Sequence, residues 1–293
     1  MTALDASAAA GGFGVLAPAR ARRRRAGRPV VLAAAVVVAL VVAVAVAPGL
    51  FTGHAPNDTA PVDALLGPGG GHWFGTDQLG RDIYTRVLYG TRPALLLGLF
   101  ATVLGAGGGA VLGLTAALGG RIADGVLMRL VDVLLAVPAL LLALLVVAVL
   151  GAGTGNVALA VAIASVPPYA RLVRAEALGV RRSGYVEAAL GLGLPRATLI
   201  RRHVVPNTLT PLLVLATVGF GAALVSSSVL SFLGLGTEPP DPEWGSMLAE
   251  GRDFLSTAWW IAVFPGATLT VVVFAVNVLG GYARTRFAGR SGS

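Results

Sequence analysis

Residues 185–207 read YVEAALGLGLPRATLIRRHVVPN, a polar, Gly- and Pro-punctuated break in a chain that is otherwise mostly apolar. Ser183 stands ahead of it as an N-cap candidate. Val186, Ala189 and Leu190 then share one helical face at i, i+3 and i+4. Ala188 and Ala189 are small and suit close approach to another surface. Gly191 and Gly193 break the helix, Pro195 opens a second in its first turn, and Pro206 is expected to end that one. The second piece, RATLIRRHVV, is only weakly amphipathic. The stretch reads as short helix, bend, short helix. It is either a basic linker touching anionic lipid or a helical plug for a partner.

What surrounds it decides the solvent. The 293 residues are 56% hydrophobic and 12% charged, against about 25% charged in soluble domains. Lipid is the medium that tolerates so much apolar surface. There is no cysteine, so thiol chemistry, disulfides and Cys-ligated metal are excluded. All 22 basic residues are arginine. Without lysine the chain builds neither a Walker A loop nor a Schiff base, so any ATP that drives it is bound elsewhere. The net charge of +8 raises nucleic acid as a partner. Its strongest basic run, RARRRRAGR at 20–28, abuts an uncharged apolar run, and so reads as a cytoplasmic membrane anchor instead.

Six runs approach the roughly 20 apolar residues that a bilayer requires: 30–50, 93–118, 130–150, 156–173, 208–230 and 259–281. The expected class is an all-α integral membrane protein. The first run also offers an A-x-A site at Ala45 and Ala47, but it is longer than a signal-peptide core and is followed by Pro48, which favours an uncleaved anchor. With both termini inside, eighteen arginines fall on the cytoplasmic side and four, Arg81, Arg86, Arg92 and Arg252, outside. Trp73, Trp244, Trp259 and Trp260 all fall outside. The expected layout is a disordered basic N-terminus at 1–28, an anchor helix at 29–50, an extracytoplasmic segment at 51–92, a core at 93–284 with its cytoplasmic loop at 174–207, and a cytoplasmic tail at 285–293.

Within the runs, LGAGGGAVLG at 104–113 reads as a site of close helix packing. Pro138 and Pro265 are expected to kink spans 3 and 6. Such kinks suit a moving pore and are equally common in static helices. No Asp, Glu or His lies deep in a span, and Asp132 sits at the edge of the third. That speaks against an ion-coupled secondary transporter. Ser226–Ser228 have no histidine near them to make a nucleophile. Asp241 and Glu243, two apart in a Pro-bounded turn, make a poor catalytic pair. A partner-docking surface is the better reading of the two long outer segments.

The motifs resemble one family. EAALGLG at 187–193 is similar to the E-A-A-x-x-x-G signature of ABC-importer permeases, and RHVVPN at 202–207 resembles its following element in the peptide-importer branch. FGTDQLGRD at 74–82 and LSFLGLGTEPPDPEWG at 230–245 resemble two outer motifs of that branch. The resemblance runs over about 72–284 in order, and departs at His203, at Val205 and at GGYART after Asn277.

It implies a type I importer permease fold with six transmembrane helices and a cytoplasmic coupling helix. It also implies a second permease subunit, two cytoplasmic ATPases that hold the ATP and magnesium, and an extracytoplasmic solute-binding protein; no cofactor belongs to this chain. By position, Glu187, Ala188, Ala189, Gly193, Pro206 and Asn207 would couple to an ATPase, with Glu187 expected to pair with a basic residue there. Trp73, Phe74, Asp77, Gly80, Arg81, Asp82 and Trp244 would dock the binding protein. The implied activity is ATP-driven import of di- or oligopeptides by alternating access, without an enzymatic site of its own. Nickel or another small solute is the alternative cargo.

Overall fold

In lipid a single segment satisfies its own backbone hydrogen bonds only as a helix. The computed structural model follows this rule. It describes residues 27–288, which contain no strand and one isolated bridge, Thr76 to Asp82. The basic run at 20–26 and the end of the tail at 289–293 lie outside the described residues, as do the side chains of Glu187 and of residues 286–288.

Ten α-helices are described: α1 Arg28–Val46, α2 Ile83–Leu118, α3 Gly120–Ala136, α4 Ala139–Leu150, α5 Thr154–Arg181, α6 Gly184–Gly191, α7 Arg196–Leu199, α8 Val205–Phe232, α9 Trp244–Gly251 and α10 Trp260–Ala288. Five helical segments are long and apolar enough to cross a membrane, with α7 and α8 counted as one continuous stretch. All four tryptophans lie at one end of the bundle, the Trp end. Most arginines of the described residues lie at the other, the Arg end. At 36 residues, or about 54 Å, α2 exceeds a bilayer core of about 30 Å and reaches out at the Trp end.

Two expected boundaries change. The third apolar run is not one helix: α3 and α4 meet at 97°. Pro138 does more than kink it. Proline disfavours helical backbone in the residue before it. Val137 is extended at φ −93°, ψ 131°, and Pro138 itself is extended at ψ 133°. The helix therefore stops and a new one starts. α3 is amphipathic: Asp124 pairs with Arg174 and Asp132 with Arg171, both on α5, while Ile122, Val126, Leu130 and Val133 are exposed.

Pro206 also behaves differently from expectation. It is the second residue of α8, inside a helical stretch that runs from Arg196 to Phe232. The residues ahead of it, Ile200–Val204, form a π turn, with the Val205 N–H donating to the Ile200 carbonyl. A π turn shifts the ladder by one residue, which accommodates a proline that has no N–H to give.

The core is the parallel pair α2 and α5. Gly105, Gly109 and Gly113 recur every fourth residue along α2 and face Ala162, Val166 and Ala170 on α5. A Cβ added at each would meet those residues' carbonyl oxygens at 3.1, 3.0 and 2.5 Å. Gly107, in the same glycine-rich run, has nothing within 4 Å. The run is thus a one-sided strip that lets two backbones touch. Gly219 on α8 gives room to the Tyr169 hydroxyl, which would lie 1.9 Å from a Cβ there. Ala94, Leu224, Trp244 and Val272 join α2, α8 and α10 near the Trp end.

Candidate functional site

Two regions carry polar chemistry on this frame. At the Arg end, the segment between α5 and α8 is α6, a Gly193 bend and α7. Ser183 occupies the N-cap position of α6, but its hydroxyl donates backward to the Val180 carbonyl. α6 ends at Gly191, and Gly193 has φ +80°, a left-handed conformation that costs other residues roughly 1–2 kcal/mol. Val186 and Leu199 are buried with Ala117 of α2, Ala177 of α5 and Val204. Ala189 packs on that cluster. Leu190, placed with Val186 on one face by spacing, is instead half exposed, as is Tyr185, and Leu192 is 83% exposed. Asn207 donates to the His203 carbonyl at 2.6 Å and to the Tyr185 hydroxyl at 3.3 Å.

Arg181, which the sequence does not single out, donates to the Ala117 carbonyl at the C-terminal end of α2. A helix end leaves such carbonyls without intrahelical partners. The α6 segment is therefore tied at once to the ends of α2 and α5.

At the Trp end, FGTDQLGRD folds into a tight knot. Asp77 Oδ1 accepts from the backbone N–H groups of Leu79 and Arg81 at 2.8 and 3.0 Å, and Oδ2 accepts from Arg81 Nε at 2.5 Å. Gly80 has φ +74°, and a Cβ there would lie 1.9 Å from the Ala60 carbonyl oxygen. Asp82 caps α2 through the Thr85 N–H and holds His72 Nδ1 at 2.9 Å. Phe74 stacks on Phe264 with centroids 4.0 Å apart. The knot is pinned to the rest of the bundle by Arg81 Nη2 donating to Glu250 of α9 at 3.0 Å, and by Trp260 Nε1 donating to the Thr76 carbonyl at 3.0 Å. Arg86 is 1% exposed and gives Nη1 to Pro56 O, Asn57 Oδ1 and Pro240 O.

Asp77, Gly80, Arg81, Asp82 and Trp244 are buried. Their side chains hold the shape of the knot and its seat on the bundle and present little surface outward. Trp73, by contrast, is 66% exposed and packs on Tyr84 with ring centroids 4.9 Å apart. Trp244 instead donates Nε1 to the Val87 carbonyl at 3.0 Å. Glu250 and Arg86 escape a reading of the sequence because their partners lie as far as 169 residues away.

Glu243 is the N-cap of α9, accepting from the Ser246 N–H at 3.0 Å, and has no exposed surface. Burial raises its carboxyl above the usual carboxylate range, and the N–H groups of Gly245 and Ser246 draw it partway back. The unfolded chain ionises near 4.5, so this residue's contribution to stability is full below that pH and is lost as pH rises toward the folded value. Glu243→Gln should therefore gain on the native protein as pH goes from 4 to 7. Unfolding midpoints of both proteins across that range check it; a gap that stays constant with pH overturns it.

Among the described residues no group of His, Cys, Asp and Glu is arranged to hold a metal ion. The arrangement is one of helices that touch through glycine, with an anchored loop at one end and a pinned knot at the other. The same fold occurs in the crystal structure of an amino acid ABC transporter, with a TM-score of 0.55 at 19% identity over 69% of this chain and 94% of that one. It occurs again in an inward-facing methionine ABC transporter, at 0.51, 18%, 69% and 95%. This is the all-helical, type I importer fold of a multi-pass membrane permease.

Residues 109–289 match the family described as binding-protein-dependent transport system inner membrane component, and the chain belongs to that family. A dipeptide transport system permease protein of Alkalihalophilus pseudofirmus is 41% identical over 82% of this chain and 79% of its own length. A di/tripeptide transport system permease of Pseudomonas aeruginosa is 44% identical over 71% and 68%. A glutathione transport system permease of Escherichia coli is 43% identical over 73% and 71%. Family membership sets aside the ion-coupled secondary transporter.

Proposed function

We propose that this permease moves di- or oligopeptides inward by alternating access, driven by ATP hydrolysed on partner subunits. The Arg end faces the cytoplasm in this reading and the Trp end faces outward. The peptide cargo is supported by the relatives, whose names specify dipeptide, di/tripeptide and glutathione transport. The chain has no lysine for a nucleotide loop of its own. It would stand beside a second permease, above two ATPases and below a solute-binding protein that docks around the exposed Trp73.

The observation that carries the mechanism is the anchoring of α6. Its exposed side, with Tyr185, Leu190 and Leu192, is free to enter a groove of an ATPase. Its buried side is fastened by Val186 to the ends of α2 and α5. A push on α6 is thereby delivered to the two helices that form the core, as a rigid-body shift. In this reading Glu187, Ala188 and Gly193 form the contact, Ala189 backs them against the buried cluster, and Pro206 and Asn207 join it to α8.

Gly193→Asp and Glu187→Ala should lower ATP-driven uptake at least about tenfold, the scale of a coupling energy of 1–3 kcal/mol. The protein should remain in the membrane and the partner ATPases should continue to turn over. Uptake by both variants at the native rate would rule the assignment out. Mass spectrometry of the solute retained by the co-purified binding protein tests the cargo, and a solute other than a peptide overturns that part.

A further inference from the structure

Two adjoining hollows run along the α2–α5 face from the Trp end. The outer one, of about 380 Å³, has Tyr89, Thr154, Thr237 and Asp241 in its wall, completed by prolines. The inner one, of about 400 Å³, is apolar, with Leu96, Leu97, Phe100 and Leu104. Pro93 and Thr154 belong to the walls of both, so the two lie side by side.

No basic side chain lines either hollow. Asp241 is exposed and makes no hydrogen bond or ion pair among the described residues. The nearby buried Arg86, on which its charge acts, has Asp77 and Glu250 at 3.8 Å each as its ion-pair partners and does not reach Asp241. The Asp241 carboxylate thus has no ion-pair partner among the described residues. The wider surroundings share its sign: segments 51–92 and 233–259 hold nine carboxylates and four arginines.

The polar wall consists of a carboxylate, two hydroxyls 3.3 Å apart, and a tyrosine ring. Carboxylate and hydroxyl oxygens accept hydrogen bonds, and an aromatic ring attracts a cation. A primary ammonium supplies both a positive charge and three donors, whereas an anion would meet an unneutralised carboxylate.

We infer that Asp241, with Tyr89, Thr154 and Thr237, receives the free α-ammonium group of a peptide leaving the binding protein, while the apolar hollow takes its side chains. This rests on the peptide reading above and adds a selectivity: the transit path prefers cargo with an uncapped amino terminus.

The test is uptake of radiolabelled alanyl-alanine by the complete transporter in proteoliposomes, with its binding protein and ATP. Asp241→Asn, which keeps shape and removes charge, should lower kcat/KM for uptake about tenfold, the scale of one lost charge-assisted hydrogen bond. Asp241→Glu, which keeps charge and changes shape, should stay within about twofold of the native protein on the same reasoning. A merely structural role gives the reverse order, and that order, or native uptake by Asp241→Asn, overturns the inference. A native transporter that carries no peptide overturns the peptide reading and this one with it; native uptake with an indifferent Asp241 overturns this one alone.

Discussion

Gly113→Leu is expected to remove most folded protein from the membrane. A Cβ at this position would sit 2.5 Å from the Ala170 carbonyl oxygen, 2.9 Å from Val173 Cβ and 3.0 Å from the Arg174 backbone nitrogen. Two of those atoms are backbone, so no rotamer change relieves the clash. Either α2 and α5 separate along their length or the side chain is not accommodated. Overpacking costs about 1–3 kcal/mol where side chains can give, and more where they cannot; here at least about 3 kcal/mol is expected. Gly107→Leu is the internal control, because nothing lies within 4 Å of that position. It should insert and unfold like the native protein. Detergent-solubilised yield and unfolding midpoint measure both. Equal behaviour of the two variants would mean that the glycine strip is not what joins the helices.

Arg81→Met should loosen the Trp-end knot by about 3–5 kcal/mol, the usual penalty for stranding a buried charge. Asp77 is 1% exposed and would keep its two backbone donors but lose the guanidinium at 2.5 Å. Arg86 Nε, at 3.8 Å, is too far to replace it with a hydrogen bond. Adding Asp77→Asn removes the stranded charge while the amide oxygen still accepts from the backbone N–H groups at positions 79 and 81. The double variant should therefore recover at least half of the loss. Proteolysis of segment 51–82 reads the effect locally. A double variant no better than the single one would place the cost elsewhere, in lost packing of the arginine stem.

How much of this was legible in advance depends on the range of the interaction. The all-helical membrane fold follows from the lengths of the apolar runs, and the glycine strip was visible as LGAGGGAVLG. Which glycines touch was not visible, because that depends on the face α5 presents. Pro138 and Pro206 show the limit of a local rule. Both lack an N–H, yet one breaks a helix outright and the other is absorbed by a π turn. The outcome turns on whether neighbouring carbonyls find other partners. FGTDQLGRD was recognisable as a motif, but its charges pointed to a surface. Only the positions of Glu250 and Ala60 turn it inward. In the loop ahead of α8, Gly191 and Gly193 mark the bend from sequence alone, whereas Arg181 capping α2 depends on two helices ending side by side.

The break between α3 and α4 has a consequence for the lipid. α4 has twelve residues and so measures about 18 Å, against a hydrocarbon core of about 30 Å. A rod that short does not reach both headgroup layers. Hydrophobic mismatch of this size is relieved by thinning the bilayer beside it or by covering the shortfall with other protein. Beside α4 this permease therefore calls for a thinner bilayer or a protein cover that the 36-residue α2 does not need.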